Sequence, residues 1–204
     1  MTIDEAVAAI RAGDVVVVPT DTVYGLAADP SNPAAVERIY AIKGRPPGLE
    51  LNLLAASISE LDGLVEMDAV ARALAGAFWP GPLSMVCPVG GRRLAVPRSG
   101  ATLMVRLPGH LLLRGLLAAT GPVASTSANR HGAPPARSAP EARLTLGGDV
   151  AGVVDGGPSI GMASTIIDLS SRPPRLLREG PITSIALRPY IGGATPARRR
   201  EAGT

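Results

Sequence analysis

Residues 15–18 are four valines in a row, bounded by Gly13-Asp14 before and Pro19 after. An unbroken β-branched run of this length predicts a short strand covered on both faces. Ahead of it, Thr2 and Glu5 have the spacing of a capping box, and Ile3, Val7 and Ile10 recur at helical spacing. A first helix should therefore reach about Arg11. Further on, Asn32-Pro33 supplies a cap followed by proline at the first helical position, with Val36, Ile39 and Tyr40 on one face. This helix delivers Lys43 at its C-terminal end. Between strand and helix lies Thr20-Asp21-Thr22-Val23-Tyr24-Gly25-Leu26, a polar, glycine-containing stretch at a strand end, where binding loops lie in α/β proteins.

The same reading predicts strands over 51–57, 83–87, 94–96, 102–106 and 123–125, and helices over 68–77 and 110–118. Trp79-Pro80-Gly81-Pro82 is a rigid turn, and a proline-rich loop covers 132–135. Short apolar segments at 152–154, 164–169 and 175–178 alternate with glycines. Strands and helices in irregular order, without strict βαβ repetition, imply an α/β chain of the α+β type with a mixed sheet flanked by helices. No internal repeat or interdomain linker interrupts residues 1–190, which read as one domain. Residues 191–204 read as a polar, Arg-rich C-terminal tail expected to be disordered.

Composition narrows the function. The five aromatic residues leave little for base-stacking platforms. The net charge of +3 is matched by Arg198, Arg199 and Arg200 alone, so the body is near neutral. A single cysteine, Cys87, sits in an apolar run and makes no internal disulfide. The acidic start lacks a signal peptide's basic region, and no apolar run approaches the ~20 residues that cross a bilayer. A soluble, cytoplasmic protein is expected, with no membrane partner.

Lys43 is the only lysine, all the other basic residues being arginine. A compact ammonium on a flexible stem can follow charge on a phosphate in a way that a planar guanidinium does poorly. Around it the chain offers Thr20, Thr22 and Tyr24, then Arg45, then Arg106 at a strand end. Thr126-Ser127-Ala128-Asn129 and finally Ser164, Thr165 and Arg178 follow. Basic side chains, hydroxyls and glycines together suit a polyanion. No GxxxxGK[ST] loop, no GxGxxG fingerprint and no GxSxG elbow occur, and the two histidines with Cys87 make no convincing zinc site. No protein metal ligands are assigned. Positioning and charge stabilisation remain, rather than covalent catalysis.

In Pro19-Thr20-Asp21-Thr22-Val23-Tyr24-Gly25-Leu26, Lys43-Gly44-Arg45-Pro46, Phe78-Trp79-Pro80-Gly81-Pro82-Leu83, Val105-Arg106-Leu107-Pro108, Thr126-Ser127-Ala128-Asn129, Ser164-Thr165-Ile166-Ile167-Asp168 and Leu177-Arg178-Glu179-Gly180, the chain resembles the YrdC/Sua5 family of threonylcarbamoyl-AMP synthases. The resemblance runs over roughly residues 5–182. It implies a YrdC/RibB-like fold, a twisted mixed sheet around a large, positively lined cavity. It also implies synthesis of threonylcarbamoyl-adenylate from L-threonine, bicarbonate and ATP, with Mg2+ carried on the ATP, for the modified adenosine at position 37 of tRNAs. Lys43 and Arg45 would be catalytic. Thr20, Thr22, Tyr24, Arg106, Thr126 and Ser164 would bind threonine or its carbamate. Lys43, Arg45, Ser127, Asn129 and Arg178 would bind ATP. Direct contact with tRNA or with the downstream threonylcarbamoyl-transferase machinery is a further implication. Two rivals are carbamoyl transfer through carbamoyl-adenylate, and a non-catalytic RNA- or nucleotide-binding protein. The chain departs from the pattern at Leu49-Glu50-Leu51, where the family usually has Asn, Lys or a similar residue and then Pro-Leu. It departs again at Leu53-Leu54, where some members carry a polar ligand-facing residue and then His. Glu50 is expected to face solvent.

Overall fold

The computed structural model describes residues 1–44, 51–92, 94 and 101–192. Arg45, Glu50 and the tail beyond Gly192 lie outside the described residues. Eight strands form a single sheet: β1 (Val16–Val18), β2 (Gly25–Ala28), β3 (Asn52–Leu54), β4 (Leu83–Pro88), β5 (Thr102–Arg106), β6 (Val123–Ser127), β7 (Thr165–Asp168) and β8 (Arg175–Arg178). Their order across the sheet is β1-β2-β6-β3-β5-β4-β7-β8. The β3–β5 and β4–β7 pairs are parallel and the others antiparallel, so the sheet is mixed. The helices are α1 (Ile3–Arg11), α2 (Pro33–Lys43), α3 (Ala69–Phe78), α4 (Leu111–Thr120), α5 (Ala139–Leu146) and α6 (Ser184–Ile191), with a 3-10 turn over Ile58–Leu61.

Alternation along the strands decides what each face of the sheet meets. Leu26, Ala124, Leu53, Val105, Met85 and Ile167 all point to one face and join the larger core, which α2, α3, α5 and α6 also enter. On the opposite face, Val16, Val18, Ala27, Leu54 and Val123 pack against α1 and α4 through Ala6, Val7, Ile10, Leu113, Leu116 and Leu117. That second core stops partway across. One register row on this face runs Ala27, Ser125, Asn52, Met104 and Val86, turning polar at Ser125 and Asn52 where it leaves the helices. The uncovered part of the face becomes the site.

Local chemistry accounts for the helix ends. Thr2 and Glu5 form the full capping box, and Asn32 caps α2 ahead of Pro33. Gly44 closes α2 at φ +61°, a left-handed conformation that favours glycine. Asp68 caps α3 by accepting from the Ala71 N–H, and Arg172 pairs with it.

The structure corrects several expected elements. Residues 25–28 are strand β2, not the end of a loop: Gly-Leu-Ala-Ala carries little strand propensity, but pairing with β1 on one side and β6 on the other supplies it. The strand expected over 51–57 stops at Leu54, because Glu60 accepts from the Ala56 N–H and turns the chain into the 3-10 segment. Residues 152–154 make only an isolated bridge between Val153 and Val17. Leu94 is in no strand, and 95–96 lie outside the described residues. α5 and α6 had no sequence expectation. The small Ala139 and Ala142 blur the apolar stripe of α5, and Pro189 within α6 masks its periodicity. Among the described residues no helix is long and apolar enough to cross a membrane.

Burial pulls the Asp68 carboxyl up, but the Ala71 N–H and Arg172 outweigh it, and its pKa falls below the ordinary carboxylate value. A depressed folded-state pKa gives stability that is present above the unfolded value and lost as pH falls through the folded one. Asp68→Ala should therefore lower unfolding free energy by about 1 kcal/mol at neutral pH, the usual cost of losing an N-cap. Urea unfolding of both proteins across the acid range should show the difference shrinking as pH falls. A difference independent of pH would remove the charge from the account.

Candidate active site

The polar part of the open sheet face is the floor of a cavity of about 560 Å³. Gly25 and Ser127 of β2 and β6, Asn52 of β3, Met104 and Arg106 of β5, and Ser84 of β4 all line it. Ser164, Ile166 and Arg178 close the far side, and Thr20, Thr22 and Tyr24 the near one. Strand alternation puts these side chains together, although they are scattered over more than 150 positions of sequence.

Arg106 organises the near wall. Its side chain is 4% exposed, so each N–H needs a partner. Nε donates to the Gly81 carbonyl (2.9 Å), Nη1 to Thr22 Oγ1 (3.0 Å) and Nη2 to Asp21 Oδ1 (2.5 Å). The Gly81 carbonyl is supplied by the Trp79-Pro80-Gly81-Pro82 turn, where a Cβ at residue 81 would lie 2.4 Å from the Phe78 carbonyl oxygen. Burial pulls the Arg106 pKa down and the Asp21 carboxylate pulls it back up, with a net fall. Thr20 Oγ1 in turn accepts from the Thr22 and Val23 N–H groups, donates to the Val23 carbonyl and lies 2.8 Å from Thr22 Oγ1. The Thr-Asp-Thr loop is thus shaped by its own hydroxyls and by one arginine.

Tyr24 is fully buried. Its hydroxyl donates to the Gly157 carbonyl (2.7 Å) and accepts from the Gly156 N–H (3.2 Å), tying the 155–163 segment to the cavity wall. Burial is the first cause raising its pKa. Gly161 N–H donates to the Thr22 carbonyl and fastens the same segment again.

Lys43 enters from the end of α2, and only 4% of it is exposed. Nζ donates to the Ser127 carbonyl (2.8 Å), the Asn129 carbonyl (3.0 Å) and Asn129 Oδ1 (2.9 Å). Asn129 Oδ1 also accepts from Ser127 Oγ (2.6 Å), and Nδ2 donates to the Arg130 and Ala133 carbonyls. Neither Lys43 nor Asn129 lines the cavity; they clasp the turn that carries Ser127. His131 donates its N–H to the Lys43 carbonyl and is exposed.

The far wall has a second chain of contacts. Asn52 Nδ2 donates to Ser84 Oγ (3.0 Å), Ser84 Oγ lies 3.0 Å from Ser164 Oγ, and Arg178 Nη2 donates to Ser164 Oγ (3.2 Å). Arg178 Nε donates to the Ser164 carbonyl (2.8 Å). Of the two arginines lining the cavity, only Arg106 has a carboxylate partner among the described residues. Desolvation first, and then the like charge of Arg106, depress the Arg178 pKa. The Ser125 and Thr126 hydroxyls make no hydrogen bond among the described residues; alternation along β6 turns Ser125, with Ser127, toward the cavity and puts Thr126 on the face of Leu26 and Ala124.

Of the residues singled out in the sequence, Thr20, Thr22, Tyr24, Arg106, Thr126, Ser127, Ser164 and Arg178 meet at the cavity. Lys43 and Asn129 stand behind it, and Arg45 lies outside the described residues. Ser125, part of the polar cluster with Thr126, Ser127 and Asn129, also lines the cavity. The sequence reading missed Asn52, Ser84 and Asp21. At the departure noted for Leu53-Leu54, the polar side chain that lines the cavity is Asn52, one position earlier. Leu53 belongs to one core and Leu54 to the other, and only the strand register distinguishes these places.

A mixed eight-stranded sheet carries a cavity floored by hydroxyls and arginines, and comparison with known proteins places this fold. The sequence model of the Sua5/YciO/YrdC family, described as "Telomere recombination", matches residues 8–180, and the chain belongs to this family. A putative threonylcarbamoyl-AMP synthase of Mycobacterium tuberculosis is 42% identical over 190 residues, covering 92% of this chain and 88% of that protein. The crystal structure of Pyrococcus abyssi Sua5 complexed with L-threonine superposes with a TM-score of 0.90 at 38% identity, over 96% of this chain. This chain spans 58% of the length of that one. Escherichia coli YciO matches at a TM-score of 0.79 and 31% identity, covering 88% of this chain and 89% of its own.

Replacing Lys43 by methionine removes three hydrogen bonds from a charged donor while keeping a long side chain. The Ser127 carbonyl and Asn129 Oδ1 keep other donors, so the loss is that of the bonds to the ammonium and should lower stability by about 1–3 kcal/mol. Chemical denaturation of wild type and Lys43→Met measures it. Unchanged stability would show that the clasp does not support the turn and would restore a purely catalytic account of Lys43.

Proposed function

We propose that this chain forms L-threonylcarbamoyl-AMP and pyrophosphate from L-threonine, bicarbonate or CO2, and ATP. The product would serve N6-threonylcarbamoyladenosine formation at position 37 of tRNAs. The observation that carries the reading is the cavity itself: an arginine neutralised by a carboxylate at one end, an arginine without one among the described residues at the other, and hydroxyls between. An amino acid and a triphosphate need such a division. The likeness to a protein crystallised with L-threonine and to relatives named as threonylcarbamoyl-AMP synthases supports it.

In this scheme the amine of threonine and CO2 give a carbamate, whose oxygen attacks the α-phosphorus of ATP. The bond to the β-phosphate bridging oxygen breaks and pyrophosphate leaves. Thr20, Thr22 and Tyr24 shape the near wall for the amino acid or its carbamate, with Arg106, Thr126 and Ser164 supplying donors. Arg178, Ser127 and Arg45 meet phosphate oxygens, and Mg2+ arrives with the nucleotide. Lys43 and Asn129 act on the nucleotide through the turn carrying Ser127, and Lys43 adds its positive charge from behind the wall. Positioning and charge stabilisation in a partly desolvated cavity suit a nucleotidyl transfer that needs no protein nucleophile. The downstream transferase machinery would take the adenylate on to tRNA.

Pyrophosphate release should require ATP, L-threonine and bicarbonate together. An assay omitting each in turn tests this. Equal release without the amino acid would overturn the threonine assignment. Activity supported by carbamoyl phosphate instead would move the reading to carbamoyl-adenylate chemistry.

A further inference from the structure

We propose that Asn52 is a positioning residue of the cavity: through Ser84 and Ser164 it fixes the orientation in which the Arg178 guanidinium meets an anionic group. The proposal rests on the functional reading above in taking that group to be the nucleotide's phosphates.

The bond from Asn52 to Ser84 has an unusual path. β5 lies between β3 and β4 in the sheet, so the amide reaches a residue two strands away, across the floor of the site. Asn52 shares its register row with Met104. Extending the β4–β5 pairing by one residue sets Ser84 opposite Arg106, so the contact crosses β5 between two cavity-lining side chains. Ser84 is wholly buried and Ser164 is 6% exposed, so their hydroxyls depend largely on these partners.

Hydrogen counting gives the contacts a direction. Arg178 can only donate, and Nη2 donates to Ser164 Oγ. Asn52 Nδ2 donates to Ser84 Oγ, so the Ser84 hydrogen is left for Ser164 Oγ, 3.0 Å away. Ser164 Oγ then accepts from Ser84 on one side and from Arg178 Nη2 on the other. Exchanging the amide's oxygen and nitrogen would put both Nδ2 hydrogens where Oδ1 is buried without a partner, so the amide donates to Ser84. Asn52 thereby fixes the sense in which Ser84 donates and, through it, the seat of Ser164 beneath the guanidinium. Leucine at 52 would leave Ser84 Oγ without that donor and loosen the anchoring of Ser164 beneath the guanidinium.

Two measurements test this. The first needs no ligand: the Arg178 Nε–H resonance, assigned by its loss in Arg178→Lys, should exchange with solvent about fivefold or more faster in Asn52→Leu and in Ser84→Ala than in wild type. Unchanged exchange in both variants would overturn the proposal. The second is a double-mutant cycle on ATP affinity by calorimetry. Asn52→Leu should weaken binding about three- to tenfold alone, but less than about twofold in an Arg178→Ala background. Equal weakening in both backgrounds would mean that Asn52 acts independently of Arg178, again overturning it. If the wild-type chain binds no ATP at all, the nucleotide reading fails, and the exchange rates of the free protein still decide the relay.

Discussion

Arg106 is a guanidinium taken almost wholly out of water, and a buried cation persists only where its donors are met and its charge is countered. Three segments distant in sequence answer that demand. The Trp-Pro-Gly-Pro turn supplies the Gly81 carbonyl, the loop after β1 supplies Asp21 and Thr22, and β5 supplies the arginine itself. Thr22 lies beside Thr20, whose hydroxyl fixes the backbone leading into Tyr24. Tyr24 holds the 155–163 segment over the same wall. Removing the arginine would therefore strand a carboxylate, a carbonyl and a hydroxyl at once.

The same requirement explains why the polar face does not collapse into an apolar one. A half-covered sheet face could be closed with leucines, as α1 and α4 close the other end. Here the uncovered half carries Ser125, Asn52, Ser84 and Ser127, and most of its donors and acceptors are matched within the wall. Mutual satisfaction keeps the cavity open and its walls rigid, so that a ligand meets groups already in place. Of the three buried side-chain polar atoms without partners among the described residues, Asp21 Oδ2 and Asn52 Oδ1 lie at the site or directly beside it, and the third is His110 Nδ1.

Charge is distributed along the same lines. Asp21 offsets Arg106 on the near side, while Arg178 on the far side has no carboxylate partner among the described residues. Its guanidinium is already depressed by desolvation and by Arg106, so an arriving anion relieves an unfavourable field as well as forming hydrogen bonds. Lys43 sits behind the Ser127–Asn129 turn, with its ammonium donating to the carbonyls of that turn.

How much of this was legible in advance depended on the range of the interaction. The sequence alone determined the capping box of α1, the Asn32-Pro33 start of α2, the all-valine β1 and the site-bearing segments around Thr22, Arg106, Ser127 and Arg178, because caps, periodicity and motif order are local. Tertiary structure decided the rest. Gly25–Ala28 became a strand only through pairing on both edges, and Asn52 rather than Leu53 faced the cavity because register fixes the face. Lys43 stood out as the only lysine, but its partners are carbonyls more than 80 positions away, so whether its ammonium was free or clasped could not be read locally. Composition and spacing name the groups a site can use; only the packed sheet settles which hydrogen bond each has already made, because those bonds are long-range in sequence and obligatory once water is excluded.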